Sequence, residues 1–244
     1  MATVLTTHLA VSSHAYLHAQ QITSVPPAVG TPVRGAQFDG APDSVELRFE
    51  RPGLSVPRYD LQLWETGVGQ YQGEEMPMTV GHIDNAPSSQ PFVLKSFSVS
   101  PATITKVSAI ARSLNYFKMA CASTAKNIAD TGKKTLTYYG MNGVIGSCEY
   151  NYTENKDVQT ITGIFQSIAE TLDEGRKLDY LHRYDRLGLD AELDSFSREV
   201  AEGHAIELHT IAQTLSSLAG DPEVMQRVRT RASALLTLVS THTR

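Results

Sequence analysis

The chain has 244 residues, of which 41% are hydrophobic, and its 21 Lys and Arg against 26 Asp and Glu give a net charge of −5. This length and apolar content are enough for a buried core, which excludes a wholly disordered protein. The mildly acidic balance gives no electrostatic reason to expect nucleic acid or an anionic membrane as the main partner.

Residues 1–44 are predicted to form a leader and a Pro/Gly-rich linker. Residues 4–17 are moderately apolar and Ala19 offers a small residue for signal cleavage, whereas residues 1–4 lack Lys and Arg. A degenerate export signal and a flexible leader are therefore both open. The prolines and glycines across residues 22–44 are typical of an extended linker. No apolar run in the chain is long enough for a transmembrane helix.

Residues 45–99 are predicted to be rich in β-structure. Apolar and charged residues alternate over residues 45–50 with the period of two expected for a strand with one solvated face. Further alternation at residues 59–65 and 70–74, joined by a glycine-containing turn, completes a three-stranded antiparallel meander. Another apolar segment at residues 92–99 predicts an additional strand.

Residues 100–244 are predicted to contain a helix, a β-hairpin and a helical bundle. Ser100 followed by Pro101 is typical of a helix start, and the helix is expected to resume across residues 121–128. Two β-like segments flank the glycine-rich residues 140–146, which predicts a hairpin with a loose tip. Beyond the hairpin, apolar residues recur at three and four, so a bundle of amphipathic helices is expected. The predicted fold class is α+β, with an N-terminal antiparallel β-meander, a central helix plus β-hairpin, and a C-terminal helical bundle.

Cys121 and Cys148 are 27 residues apart. A disulfide between them would raise the free energy of unfolding by about 3.5 kcal/mol, because it restricts the loop in the unfolded chain. Two free buried thiols are the alternative. Cys148 lies in a strand-like segment, and a helix carrying Cys121 could lie across that strand. This context favours a structural disulfide that pins a helix to the hairpin.

The most suggestive cluster for chemistry is Asp179, His182 and Asp185, which a spacing of three places on one helical stripe. Two carboxylates beside an imidazole can bind a divalent metal or raise the pKa of the histidine for base catalysis. The alternative, which the density of opposite charge favours, is an exposed stripe that pairs with arginines at helical spacing. The arginines concerned are Arg176, Arg183 and Arg186.

His204, Glu207 and His209 invite comparison with a zinc-binding helix. That motif needs two histidines four residues apart, whereas these are five apart and point about 140° away from each other around a helix. No P-loop, dinucleotide-binding glycine pattern or nucleophile-elbow serine occurs in the sequence. The motifs therefore predict no cofactor, no metal site and no catalytic residue.

Tyr138, Tyr139, Tyr150 and Tyr152 flank the predicted hairpin. Tyrosine offers a large contact area at little cost in side-chain entropy, so these residues are a candidate binding surface. The alternative, which carries more weight, is that they pair across the strands and stabilise the hairpin itself.

Three stretches of the chain resemble a group of predicted exported bacterial proteins that has no assigned activity. They are FERPGLSVPRY at 49–59, KNIADTGKKTLTY at 126–138 and LDYLHRYDRLGLD at 178–190. The likeness extends over about residues 45–236. It implies export to the periplasm or beyond, and with it a signal remnant before Gln20 and an oxidised cysteine pair, but it carries over no catalytic residue. The leader, which lacks basic residues, departs from that pattern.

The favoured interpretation is a non-catalytic exported or cell-envelope protein that binds another protein or a small ligand. It rests on the combination of a sheet with helices and on the lack of a nucleophile–base or metal-binding pattern. The alternative is a metal-dependent or acid/base hydrolase that uses the stripe of Asp179, His182 and Asp185. The sequence predicts neither the ligand nor the oligomeric state.

Overall fold

The computed structural model describes residues 42–74 and 92–242, and the predicted leader and most of the predicted linker lie outside these residues. The described residues contain six strands and five α-helices, which confirms the predicted α+β class. The strands are β1 (Ser44–Glu50), β2 (Arg58–Trp64), β3 (Val68–Glu74), β4 (Phe92–Ser98), β5 (Lys133–Gly140) and β6 (Gly143–Tyr150). The helices are α1 (Pro101–Ser113), α2 (Lys156–Tyr184), α3 (Leu189–Glu202), α4 (Ala212–Gly220) and α5 (Gln226–His242). None of these helices combines the length and apolar character needed to cross a membrane.

The six strands form one antiparallel sheet in the order β4-β3-β2-β1-β5-β6. The predicted meander is β1 to β3 and the additional strand is β4, so these predictions are confirmed. Because β5 pairs with β1, strands from the predicted regions 45–99 and 100–244 belong to the same sheet. Along β1, Leu47 is fully buried, whereas its neighbours Glu46 and Arg48 lie on the opposite face.

Helix α2 runs for 29 residues and contributes to two hydrophobic cores. Its C-terminal part buries Leu178 in a core shared with α3, α4 and α5. Gly175 lies so close to Ile211 in this second core that a Cβ would overlap it. The N-terminal half of α2 packs instead in the core formed with the sheet and α1. Its buried apolar residues there are Val158, Ile161, Phe165, Ile168, Ala169 and Leu172.

The expected continuation of the first helix across residues 121–128 is wrong. Asn115, Tyr116 and Phe117 form a short 3-10 turn with positive φ, which takes the backbone out of the right-handed helical region. Residues 118–132 then run without helix or strand as far as β5. Since the Phe117 side chain is fully buried, tertiary packing rather than helix propensity decides the path of the chain here.

The tip of the β5–β6 hairpin is tighter than expected. β5 ends at Gly140 and β6 begins at Gly143, so Met141 and Asn142 alone form the turn. Gly143 has a φ of 110°, a conformation that glycine adopts without a steric penalty.

Cys121 and Cys148 form the predicted disulfide, with their Cα atoms 5.7 Å apart. The bridge joins β6 to the irregular residues 118–132, so the expectation that it pins a helix is wrong. Both cysteines are buried. Nearby, the main-chain N–H of Ser123 donates to the carbonyl of Tyr152 at 2.9 Å. The disulfide therefore attaches a segment without regular structure to the edge strand of the sheet.

The carboxylate of Glu207 connects the start of α1 with the chain between α3 and α4. It accepts hydrogen bonds from the main-chain N–H of Ser100 at 3.0 Å, from the Ser100 hydroxyl at 2.8 Å and from the Thr103 hydroxyl. Its side chain is only 5% exposed. A negative charge is favoured at a helix N-terminus, where main-chain N–H groups lack partners. His209 extends the connection, because its Nε2 donates to the carbonyl of Ser98 at 2.8 Å.

Changing both Cys121→Ser and Cys148→Ser should lower the free energy of unfolding by about 3.5 kcal/mol, since the unfolded chain gains the freedom of the loop. Denaturant titration of the oxidised protein and the double variant measures this difference. A reductant should lower the stability of the wild type and leave the double variant unchanged. Equal stability of the wild type with and without reductant would contradict the prediction.

Glu207→Ala should lower the free energy of unfolding by roughly 2–3 kcal/mol, because one N–H and two hydroxyls at the start of α1 lose a charged acceptor. Glu223→Ala is the matched control. The Glu223 side chain is 73% exposed and pairs with Arg186, so its removal should cost at most about 1 kcal/mol. Similar losses in the two variants would show that the Glu207 hydrogen bonds do not stabilise the fold.

Candidate functional site

A cavity of about 260 Å³ opens between the base of the β5–β6 hairpin and the first half of α2. We refer to it as the hairpin cavity. Thr131, Lys134 and residues 150–153 form one wall. The other wall belongs to α2 and consists of Gln159, Thr162, Gly163 and Gln166. Eight of the ten described lining residues carry a hydroxyl or an amide, but most of the surface that they expose to the cavity is apolar, and Lys134 is the one cation among them.

The α2 wall owes its shape to helical spacing. Gln159, Gly163 and Gln166 follow one another at intervals of four and three, which places them on one face of the helix. A Cβ placed on Gly163 would meet no heavy atom within 4 Å. The glycine therefore leaves open space between the two glutamines.

The Lys134 ammonium holds the opposite wall together. The residue is only 6% exposed, and its Nζ donates to the carbonyls of Thr131 and Gly132 at 2.8 Å and to that of Asn151 at 3.0 Å. Burial, with the positive charge of Arg51 as a second cause, lowers the pKa of this amine. These three carbonyls use the hydrogen-bonding protons of the ammonium, so Lys134 stabilises the wall rather than presenting a free donor.

Further hydrogen bonds fix the loop beside Lys134. The Asn151 side chain accepts from the main-chain N–H of Thr131 at 2.8 Å and donates to the carbonyl of Ala129 at 3.0 Å. Across the cavity, Gln159 Nε2 donates to the carbonyl of Thr153 at 2.7 Å. The cavity therefore has walls that are organised before any ligand enters.

The structure divides the four tyrosines of the hairpin into two pairs. Tyr150 and Tyr152 line the cavity. Tyr138 and Tyr139 do not, because their hydroxyls donate to Asp43 at 2.9 Å and to a glutamate on β1 at 2.8 Å. Cross-strand pairing among them does not occur either, since Tyr138 lies opposite a glycine and Tyr139 opposite a valine.

Tyr150 forms the inner end of the cavity. Its hydroxyl is hydrogen-bonded to the hydroxyl of Thr162 on α2, and burial raises its pKa to about 12. Tyr152, in contrast, is 41% exposed. Within the described residues, neither the Tyr152 hydroxyl nor the Gln166 amide has a hydrogen-bond partner in the protein. These two groups, together with Oε1 of Gln159, are polar groups that a ligand can engage directly.

The predicted stripe on α2 is held apart by other contacts. His182 Nε2 lies 2.8 Å from Oδ2 of Asp221, which precedes α5. The hydrogen bond from His182 lowers the pKa of Asp221. Asp185 accepts from the main-chain N–H of Gly188 at 3.2 Å, whereas Asp179 makes no ion pair in the part of the chain that the structure describes. A hydrolase acting through Asp179, His182 and Asp185 stays a prediction.

Two of the three arginines expected to neutralise that stripe contact other acidic residues. Arg176 contacts Asp173 at 2.5 Å and Arg186 contacts Glu223 at 2.5 Å. The first contact joins two residues of α2, and the second joins the chain just after α2 to the chain before α5.

One group of three possible metal ligands occurs among residues 42–74 and 92–242. It consists of Glu199, Glu202 and His204, all exposed, with ligand atoms within 4.8 Å of one another. His204 Nδ1 lies 3.1 Å from Glu199 and 3.5 Å from Glu202, so contacts among the three side chains themselves account for the cluster. The zinc helix compared above does not form, because α3 ends at Glu202 and His209 faces Glu207 and Ser98.

A partly buried acid, Glu174, lies between α2 and α3. Burial, followed by the nearby negative charge of Glu192, raises the pKa of Glu174 to about 8. Its Oε1 is buried without a hydrogen bond. Lys177 forms an ion pair with Glu192 rather than with Glu174. The sequence contained one signal for this residue, since its spacing from the buried Leu178 places it towards the helical core.

No protein-family model matches the chain, and no curated protein matches its sequence. The hairpin cavity is therefore identified as a candidate site from its geometry alone.

Glu174→Gln should stabilise the protein at alkaline pH. The folded-state pKa of Glu174 lies near 8, above its ordinary value of 4.5. The protonated carboxyl therefore contributes fully to the stability of the wild type below pH 4.5, and this contribution is lost as the pH rises through 8. Glutamine keeps a hydrogen-bond donor and cannot ionise. In thermal unfolding, the melting temperature of the variant relative to that of the wild type should rise as the pH increases across that window. Glu223→Gln, which removes an exposed negative charge, should show the same pH dependence of the melting temperature as the wild type. The same result for Glu174→Gln would contradict the raised pKa of Glu174.

Proposed function

We propose that this protein is a non-catalytic binding protein of the cell envelope, exported to the periplasm or beyond, that holds a small ligand in the hairpin cavity. The observation that carries the proposal is the cavity itself, whose walls are already organised. Its volume of about 260 Å³ is close to the lower end of the range typical of ligand sites, roughly 300 Å³.

The chemistry of the lining supports binding rather than catalysis. Acid–base and nucleophilic catalysis use carboxylates, imidazoles, thiols or an amine with an available proton. Among the described residues, those that line the hairpin cavity include no Asp, Glu, His or Cys. The lysine that is present, Lys134, donates to three main-chain carbonyls. Such a lining can orient a ligand through hydrogen bonds without transforming it.

The disulfide between Cys121 and Cys148 supports the proposed location, because disulfides persist in oxidising compartments and are rare in the cytosol. The resemblance of three stretches to exported bacterial proteins points to the same location. A small ligand held outside the cytoplasm agrees with both observations.

Two substitutions at Gly163 test whether the cavity binds ligands. Gly163→Leu should fill the space between Gln159 and Gln166, whereas Gly163→Ala adds a methyl group that meets no atom within 4 Å. Both variants should be more stable than the wild type by about 0.5–1 kcal/mol, since glycine is unfavourable inside a helix. Loss of binding in Gly163→Leu therefore cannot come from unfolding.

The measurement is a thermal-shift screen of the full chain against defined sets of neutral sugars, sugar acids, short peptides and nucleosides. At least one set should raise the melting temperature of the wild type and of Gly163→Ala, and should leave that of Gly163→Leu unchanged. A shift that persists in Gly163→Leu, or the lack of any shift in the wild type, would refute binding in the hairpin cavity.

A further inference from the structure

We infer that the ligand of the hairpin cavity is an uncharged oligosaccharide, bound through the amides of Gln159 and Gln166 and the ring of Tyr152. This inference rests on the proposed function and names the class of ligand that the same cavity takes. Four properties of the lining support it: its charge, its unused side-chain hydrogen-bonding groups, its exposed aromatic ring and its occupied main-chain carbonyls.

Charge favours a neutral ligand. An anionic ligand is normally held by a cation with free donors, but the Lys134 ammonium already donates to the carbonyls of Thr131, Gly132 and Asn151. A cationic ligand would meet this buried ammonium with no carboxylate in the lining to balance the charges. A neutral ligand avoids both costs.

The unused hydrogen-bonding groups match hydroxyls. The Gln166 amide and the Tyr152 hydroxyl have no partner among the described residues, and Gln159 uses its Nε2 on the Thr153 carbonyl and keeps Oε1. An amide both donates and accepts, as does a phenol. A sugar hydroxyl also does both, so it can pair with each of these groups.

The placement of these groups suits more than one sugar ring. Gln159 and Gln166 are seven residues apart on α2, a distance of about 10.5 Å along the helix axis. Gly163 keeps the surface between them open. Tyr152, 41% exposed, offers a flat apolar ring at the opposite wall. A ligand with an apolar face and hydroxyls along its edges fits this arrangement.

A peptide fits less well, because extended peptides bind by adding a strand to unpaired main-chain groups. In the cavity wall three main-chain carbonyls are already occupied. The carbonyl of Asn151 accepts from Lys134, that of Tyr152 from Ser123, and that of Thr153 from Gln159. The side chains are left to make the contacts, and they are the ones that suit hydroxyls.

The test is isothermal titration calorimetry of the full chain with named probes: cellobiose, maltotriose and diacetylchitobiose as neutral sugars, digalacturonic acid as an acidic sugar and trialanine as a peptide. At least one neutral sugar should bind the wild type and Gly163→Ala but not Gly163→Leu. Gln166→Ala should weaken it about tenfold through the lost hydrogen bonds. Gln213→Ala, at an exposed amide on α4 outside the cavity, should leave the affinity unchanged.

Salt provides an independent readout. The affinity for a neutral sugar should stay constant between about 0.05 M and 0.5 M NaCl, whereas that for an anion should fall with screening. Binding of the acid or the peptide alone, abolished in Gly163→Leu, would overturn the sugar assignment and leave the proposed function standing. If no probe binds the wild type, the sugar assignment fails, and if the thermal-shift screen also gives no shift, the proposed function fails with it.

Discussion

Both hydrophobic cores of this protein depend on helix α2, because its two halves are buried in different ones. At 29 residues and 1.5 Å per residue the helix spans about 43 Å. Phe165 packs in the core formed with the sheet, and Leu178 in the core formed with the other C-terminal helices. Helices of globular proteins are held mainly by such packing of one face rather than by propensity. The two cores therefore fix the position of α2 and, with it, the direction of every side chain on its remaining surface.

The hairpin cavity follows from that constraint. The buried stripe of α2 holds the helix against the sheet, and the residues beside the stripe face the base of the hairpin. Where helix and hairpin touch, the hydroxyls of Tyr150 and Thr162 are hydrogen-bonded. Where they separate, Gly163 leaves the gap open. Lys134 and the disulfide hold the loop on the other side. A site between elements that are each fixed elsewhere requires little reorganisation when a ligand binds, which preserves affinity.

Local patterns were enough to predict the regular elements, as the alternation in β1 and the spacing in α2 show. Contacts between distant residues were out of reach. Residues 118–132 leave the expected helix because Phe117 is buried and Cys121 is bonded to β6. Glu207 hydrogen-bonds to Ser100, which lies 107 residues earlier, and no spacing in the sequence indicates that partner. His204 and His209, on either side of Glu207, suggested a zinc-binding helix. In the structure, Glu207 instead hydrogen-bonds to the start of α1.

The sequence predicted part of the candidate site, Tyr150 and Tyr152, and the chemical nature of the other lining residues explains why they were missed. Reactive sites use titratable side chains, and their spacing leaves a visible pattern such as that of Asp179 and His182. In the folded chain His182 pairs with Asp221. The hairpin cavity instead uses amides and hydroxyls, whose spacing resembles that of any polar helix face. A glycine inside a helix costs about 1 kcal/mol relative to alanine, and α2 contains two, Gly163 and Gly175. A Cβ would overlap Ile211 at Gly175 but would meet no heavy atom within 4 Å at Gly163, and only the folded chain distinguishes these two positions.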